Sequence, residues 1–189
     1  MAFLEVILFL IFFSQNAIAN SLETVDIVIF SPHPDDEILC CGGKIAKEAR
    51  AGKKIKIVFL TNGEAYSDAI FKSSQKEKSE IATKDYKERG NVRQKEAIEA
   101  GQVLGLKKED LIFLGYPDGG LFSLAKENYK DYYFSPFTLS TSSPYENTFR
   151  FARYGYTKLN IILDLKEILR NFRPKQIFLP HPLDRHRDH

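Results

Sequence analysis

Only two cysteines occur in the 189 residues, and they are adjacent, Cys40 and Cys41. Neighbouring residues cannot staple distant segments, which excludes a disulfide framework and leaves the fold dependent on its core. Spaced pairs, the usual arrangement of zinc-binding thiolates, are also missing, so the two read as small buried packing residues at a helix start. Excess charge of one sign is lacking too: 27 Lys and Arg against 25 Asp and Glu leave a net +2, with the signs intermixed. Such a surface has no electrostatic footprint for nucleic acid, and no DNA or RNA partner is expected. What is present is an apolar fraction of 43% in a chain of single-domain length, enough to bury a core and unlike a disordered composition.

One segment departs from the rest. Val6 to Phe13 is unbroken and apolar, followed by Ser14-Gln15-Asn16 and the small-x-small sequence Ala17-Ile18-Ala19. This is the pattern of a secretory signal over residues 1–19, although Glu5 lies where basic residues are usual. The run is short of the roughly 20 residues that span a bilayer. The expected mature domain is therefore 20–189, secreted or periplasmic. Membrane association is expected only if the segment remains uncleaved as an anchor.

Four short β-rich runs follow: Asp26 to Phe30, Ile55 to Leu60, Leu111 to Leu114 and Gln176 to Leu179. Helical patterns separate them, from near Gly43 to Ala51 with Gly52 as the stop, Asn91 to Leu104 ending at Gly105, and Leu159 to Phe172 closed by Pro174. The alternation predicts a Rossmann-like three-layer α/β fold with a mostly parallel sheet. Residues 72–87, rich in Lys, Glu and Ser, read as a solvated loop or exposed helix extension. Residues 128–156 are dense in Tyr and Phe, which predicts packing for most rings and a lid or substrate wall for the remainder.

A parallel sheet of this type places its ligand outside the carboxyl ends of its strands. Those exits carry the polar chemistry: His33-Pro34-Asp35-Asp36-Glu37 after the first, Thr61-Asn62-Gly63-Glu64 after the second, Tyr116-Pro117-Asp118-Gly119-Gly120 after the third. After the fourth come His181, Asp184, His186, Asp188 and His189, so all four histidines follow strands. His33 and Asp36 are separated by two residues in a turn that Pro34 stiffens, and both can reach one ion while Asp35 points elsewhere. The third ligand comes from the second histidine cluster, where one of His186 and His189 binds the ion and the other faces the substrate. Two histidines, one carboxylate and an open position describe a catalytic rather than a structural zinc site.

Water at such an ion becomes a hydroxide donor near neutral pH, and Asp35 is the candidate general base because it is free of metal duty. A protonated His186 would stabilise an oxyanion and pass a proton to a leaving nitrogen, while Asp188 orients a histidine from behind. Alone, the His-Pro-Asp turn also reads as a helix cap. Its pairing with a second cluster at another strand exit favours metal chemistry.

At these residues, together with Gly42-Gly43, Arg93-Gln94-Lys95-Glu96 and Leu104-Gly105, the sequence resembles the PIG-L/LmbE-like family of zinc-dependent N-acetylglucosaminyl deacetylases. The resemblance covers nearly all of the chain after Thr24. It implies zinc held by His33, Asp36 and His189, Asp35 as general base and His186 as electrophilic partner. Arg93 and Asp118 are implied to help hold the sugar. Two departures stand out: Arg187 occupies a position where the family often has proline, and the chain ends at His189 where family members continue, so the C-terminal part of the domain is expected to be missing.

The function expected is removal of acetyl from an N-acetylglucosamine-type sugar or glycoconjugate. A zinc amidase with another substrate, and a catalytically silent sugar- or metal-binding protein, are the alternatives. A free carboxylate at Asp35 argues against silence. The same donors also suit Fe(II) in place of Zn²⁺.

Overall fold

The computed structural model describes residues 24–74, 76–126, 131–181 and 183–189; the expected signal segment lies outside the described residues. Four strands, β1 (Ile27–Ser31), β2 (Ile55–Thr61), β3 (Leu111–Tyr116) and β4 (Gln176–Phe178), form one sheet in the order β3-β2-β1-β4, and every pairing is parallel. The helices between them are α1 (Asp36–Arg50), α2 (Ser67–Ser74), α3 (Thr83–Val103), α4 (Leu121–Ala125) and α5 (Lys158–Phe172). Among the described residues no helix is long and apolar enough to cross a membrane.

Period-two alternation divides the strands between two cores. Ile27, Ile29, Ile55, Ile57, Phe59, Leu111 and Phe113 point to one face, where Ile45 of α1 and Ala97 of α3 cover them. Val28, Phe30, Val58, Leu114 and Tyr116 point to the other and pack with Leu121 and Leu124 of α4, Ile168 of α5 and Tyr156. Both faces are covered, which is why these strands read as near-continuous apolar runs. The three-layer parallel arrangement expected from the sequence is the one observed. Ile27, Val28 and Ile29 pair with Gln176, Ile177 and Phe178, making β4 the shortest seam of the sheet.

Three boundaries differ from expectation. Helix α1 starts at Asp36, not near Gly43; Gly42 and Gly43 lie inside it. Glycine lowers helix propensity and marks a false start, whereas Asp36 and Glu37 in the first turn suit the positive helix N-terminus. Helix α3 begins at Thr83, because the charged stretch before Asn91 lacks apolar periodicity but is made of good helix formers. Residues 72–87 accordingly divide into the end of α2, a 3₁₀ turn at Lys78–Glu80 and the start of α3. The cysteines lie inside α1 and pair with each other, Cys40 exposed and Cys41 half-buried, so only Cys41 packs against the core.

Beneath the second core, Tyr116 donates its hydroxyl to Asp164 Oδ2 (2.7 Å) and the Phe151 N–H donates to Oδ1 (3.1 Å). Burial raises the Asp164 carboxyl above its ordinary range despite these bonds. The pair ties α5 to the end of β3 and to the loop before α5. Asp164→Ala should leave two buried donors without an acceptor and lower stability by about 1–3 kcal/mol per orphaned group. Urea unfolding monitored by circular dichroism is expected to show a lower midpoint, and an unchanged midpoint would contradict this role.

Candidate active site

The turn leaving β1 is shaped by Ser31 and Glu37. Ser31 Oγ donates to the His33 carbonyl (2.7 Å) and accepts the Glu37 N–H (3.1 Å), while Glu37 Oε2 accepts the Asp35 N–H (3.0 Å). Burial pushes the Glu37 carboxyl up to about 7. Asp36, in the first turn of α1, folds back so that its Oδ2 accepts the His33 N–H (2.9 Å) and lies 3.1 Å from His33 Nδ1.

Residues 184–189 cross over this turn. His189 Nε2 lies 3.3 Å from His33 Nδ1 and 3.2 Å from Asp36 Oδ2. Although the residue as a whole is exposed, its side chain is only 11% exposed, because the backbone carries the accessible surface. The His186 ring centroid is 4.7 Å from those of both His33 and His189. His181, by contrast, is exposed and outside this group.

The far nitrogens of the two inner histidines are gripped by carboxylates. His33 Nε2 is 3.2 Å from Asp118 Oδ1 and 3.4 Å from Asp188 Oδ2, and His189 Nδ1 is 2.9 Å from Asp184 Oδ2. Asp188 is itself fixed by N–H donors of Gly119 (2.6 Å) and Leu121 (3.0 Å). Burial alone would raise the Asp188 carboxyl, but the bonds from His33 and these amides hold it below the ordinary carboxylate range. For His33, burial favours the neutral ring and is outweighed by Asp118, Asp188 and Asp36, which push it up to about 11.

These donors meet a simple geometric requirement. A tetrahedral ion with ligands at about 2.0–2.1 Å places neighbouring ligand atoms roughly 3.3–3.4 Å apart. His33 Nδ1, Asp36 Oδ2 and His189 Nε2 are 3.1, 3.2 and 3.3 Å from one another. With an ion in the triangle and the rings neutral, carboxylates facing His33 Nε2 and His189 Nδ1 would hold the remaining protons there and turn a lone pair of each ring toward the ion, the usual backing of metal-ligating histidines. Two wider groupings also bring donor atoms within 4.8 Å, His33 with His186 and His189, and His33 with Asp118 and Asp188. The second is already occupied: Asp118 Oδ2 accepts the Ala65 N–H (2.8 Å), and Asp188 accepts two backbone amides.

Beside the triangle, the Asp35 side chain is 58% exposed and its Oδ2 is 2.8 Å from Arg93 Nη2. Arg93 is buried and also donates to the carbonyls of Gly63 (3.1 Å) and Pro34 (2.5 Å), joining the exits of β1 and β2. A Cβ at Gly63, whose φ is +62°, would collide with that guanidinium, so only glycine fits. His186 Nδ1 accepts the Asp188 N–H (3.3 Å), which leaves the ring proton on Nε2. His33, Asp35, Asp36, Arg93, Asp118, His186 and His189 all line one cleft of about 860 Å³.

Sequence reasoning assigned no role to four contributors to this region. Asp184, which holds His189, and Glu64, which holds the backbone of Asp118 (3.1 Å), belong to no periodic pattern. Tyr66 and Arg185 line the cleft as single residues in loops. Of the aromatic stretch expected to form a wall, Tyr133 and Phe137 border the cleft, Tyr145 and Tyr156 are buried, and Tyr132, Phe134 and Tyr154 are exposed.

Residues 28–189 match the family model described as PIG-L, GlcNAc-PI de-N-acetylase. The chain belongs to that family. Among solved structures, this PIG-L family member is 29% identical to the conserved protein TT1542 from Thermus thermophilus, with a TM-score of 0.49 over 88% of this chain and 51% of that one. It shares its fold with the N,N'-diacetylchitobiose deacetylase from Pyrococcus horikoshii, at 23% identity and a TM-score of 0.51, over 87% of this chain and 45% of the other. A match to the 4-carboxy-2-hydroxymuconate hydratase from Pseudomonas putida has 24% identity and a TM-score of 0.39 over 54% of this chain and 41% of the other. The chain spans about half the length of the first two structures.

If the triangle is the metal site of this PIG-L family member, His33→Ala should abolish stoichiometric metal, and Asp184→Ala should weaken it by about tenfold or more. Elemental analysis after dialysis against Zn²⁺ checks the first and chelator competition the second. Full zinc in His33→Ala would remove it from the ligand set.

Proposed function

We propose that the protein hydrolyses the acetamido group of an N-acetylglucosamine-type sugar or glycoconjugate, releasing acetate and the free amine. The observation that carries this reading is the juxtaposition, in one cleft, of a three-donor triangle with an unligated carboxylate at Asp35 and a histidine N–H donor at His186. Family membership supplies the substrate class.

His33, Asp36 and His189 would hold Zn²⁺, or Fe²⁺, to which the same ligands are suited. When bound, such an ion supplies acidification of water and polarisation of a carbonyl. Asp35 removes the proton from the attacking water, with its Oδ2 fixed by Arg93. As water oxygen adds to the carbonyl carbon, charge develops on the carbonyl oxygen, and His186 donates its Nε2 hydrogen bond there. The C–N bond then breaks, and Asp35, in place of the His186 expected from the sequence, returns its proton to the leaving nitrogen, so one water is consumed for each acetate and amine formed. The backbone bond from Asp188 keeps the His186 donor aimed through this sequence.

Arg93 and Asp118 border the same cleft and would shape the sugar subsite, with Tyr133 and Phe137 offering apolar faces to a pyranose ring. An acetate-release assay over a panel of N-acetylated sugars and peptidoglycan fragments, using zinc-loaded protein, tests the function; no release from any member would argue for a binding protein instead. Asp35→Ala should retain zinc and lose about 10²-fold or more of the rate. A rate within twofold of wild type would exclude Asp35 as the base. Export is proposed on the Ala17-Ile18-Ala19 pattern. N-terminal sequencing of protein from the producing cells is expected to begin near Asn20, and Met1 would refute cleavage.

A further inference from the structure

Glu64 is a carboxylate beside the cleft that takes no part in the reaction above. It is fully buried, its Oε1 accepts the Asp118 N–H (3.1 Å), and its Oε2 meets no hydrogen-bond partner among the described residues. A buried carboxyl with a single bond costs stability that an apolar side chain of similar size would not, so its value lies in what it holds. What it holds is a reciprocal clamp. Glu64 takes the backbone N–H of Asp118, and Asp118 Oδ2 takes the backbone N–H of Ala65 (2.8 Å), locking the exit loop of β2 to that of β3. The remaining Asp118 oxygen, Oδ1, faces His33 Nε2 at 3.2 Å.

We propose that Glu64 is a positioning residue for His33 that acts through Asp118, fixing which ring nitrogen of His33 carries the proton and so which one is offered to a metal ion. Its function is that of a shaped acceptor and not of a negative charge. Burial, and then the neighbouring Asp118 charge, raise the Glu64 carboxyl, which favours the neutral acid. The inference rests on the reading of His33 as a metal ligand, though not on the deacetylase activity.

The test is zinc affinity, measured by competition with a chromogenic chelator, in variants of the full chain shown to be folded by circular dichroism. Glu64→Gln keeps the acceptor and the shape without a charge, and should bind zinc within about twofold of wild type. Glu64→Asp keeps the carboxyl group but withdraws the acceptor by one methylene, and should weaken zinc by about tenfold, as should Glu64→Leu. Asp118→Asn is expected to weaken zinc by about tenfold, and adding Glu64→Leu to it should cost less than a further twofold, because the two lie on one path.

Three results would overturn the proposal: Gln as harmful as Leu, Asp as harmless as Gln, or losses from Glu64→Leu and Asp118→Asn that multiply in the double variant. Should Glu64→Leu fail to fold, the contrast between Gln and Asp still decides. Wild-type protein that binds no zinc would instead remove the metal reading on which this depends, whereas absent acetate release with normal zinc affinity would leave the positioning role intact.

Discussion

The site depends on how one imidazole is held. His33 is gripped from both ends: Asp118 and Asp188 face Nε2, while Asp36 and His189 face Nδ1. Three acidic groups and a second histidine around a nearly buried ring form an arrangement that is tolerable only when a positive charge sits among them. A proton on the ring can be that charge, since the surrounding carboxylates push His33 up to about 11. A divalent ion in the triangle would take over the same role, with the ring neutral and its remaining proton on Nε2. The acidic surroundings that retain the proton would thus also stabilise the ion.

The four grips come from three strand exits, which is why the sheet topology matters. Asp36 follows β1, Asp118 follows β3, and Asp188 and His189 follow β4. Parallel pairing places all of these exits along one edge, and Arg93 and Thr61 then tie neighbouring loops at fixed height, Thr61 Oγ1 donating to the Pro32 carbonyl (2.8 Å). Very little of this precision comes from helices α2 or α4. It comes from backbone carbonyls and amides bound by buried side chains, which cannot shift without leaving a polar group unpaired.

The strands were legible because β-branched and aromatic runs buried on both faces have few other interpretations, and the helices between them implied parallel pairing. The histidine and aspartate clusters were legible because metal chemistry needs specific side chains at strand exits. The start of α1 was not, since Gly42-Gly43 resembles a boundary while the actual start is set by Ser31 and Glu37 closing the turn. Asp184 and Glu64 stood visibly at strand exits, but their roles were hidden for a different reason: they consist of single bonds to His189 and to the Asp118 backbone, and a single bond leaves no periodicity. Asp118 shows how far a motif reaches. Its presence at the site was readable, but its double attachment to Ala65 and His33 was not.

The contacts of His33 with Asp188 and His189 bridge residues 155 and 156 positions apart. In polymer terms they are a crosslink placed beside the sheet's shortest seam, the three-residue pairing of β1 with β4. An ion that binds the folded triangle and not the unfolded chain would stabilise the fold by mass action, by about 2.7 kcal/mol at a free concentration 100 times its Kd. An occupied triangle would therefore fasten the edge strand as a rivet does, and the resistance of β4 to fraying would follow metal supply.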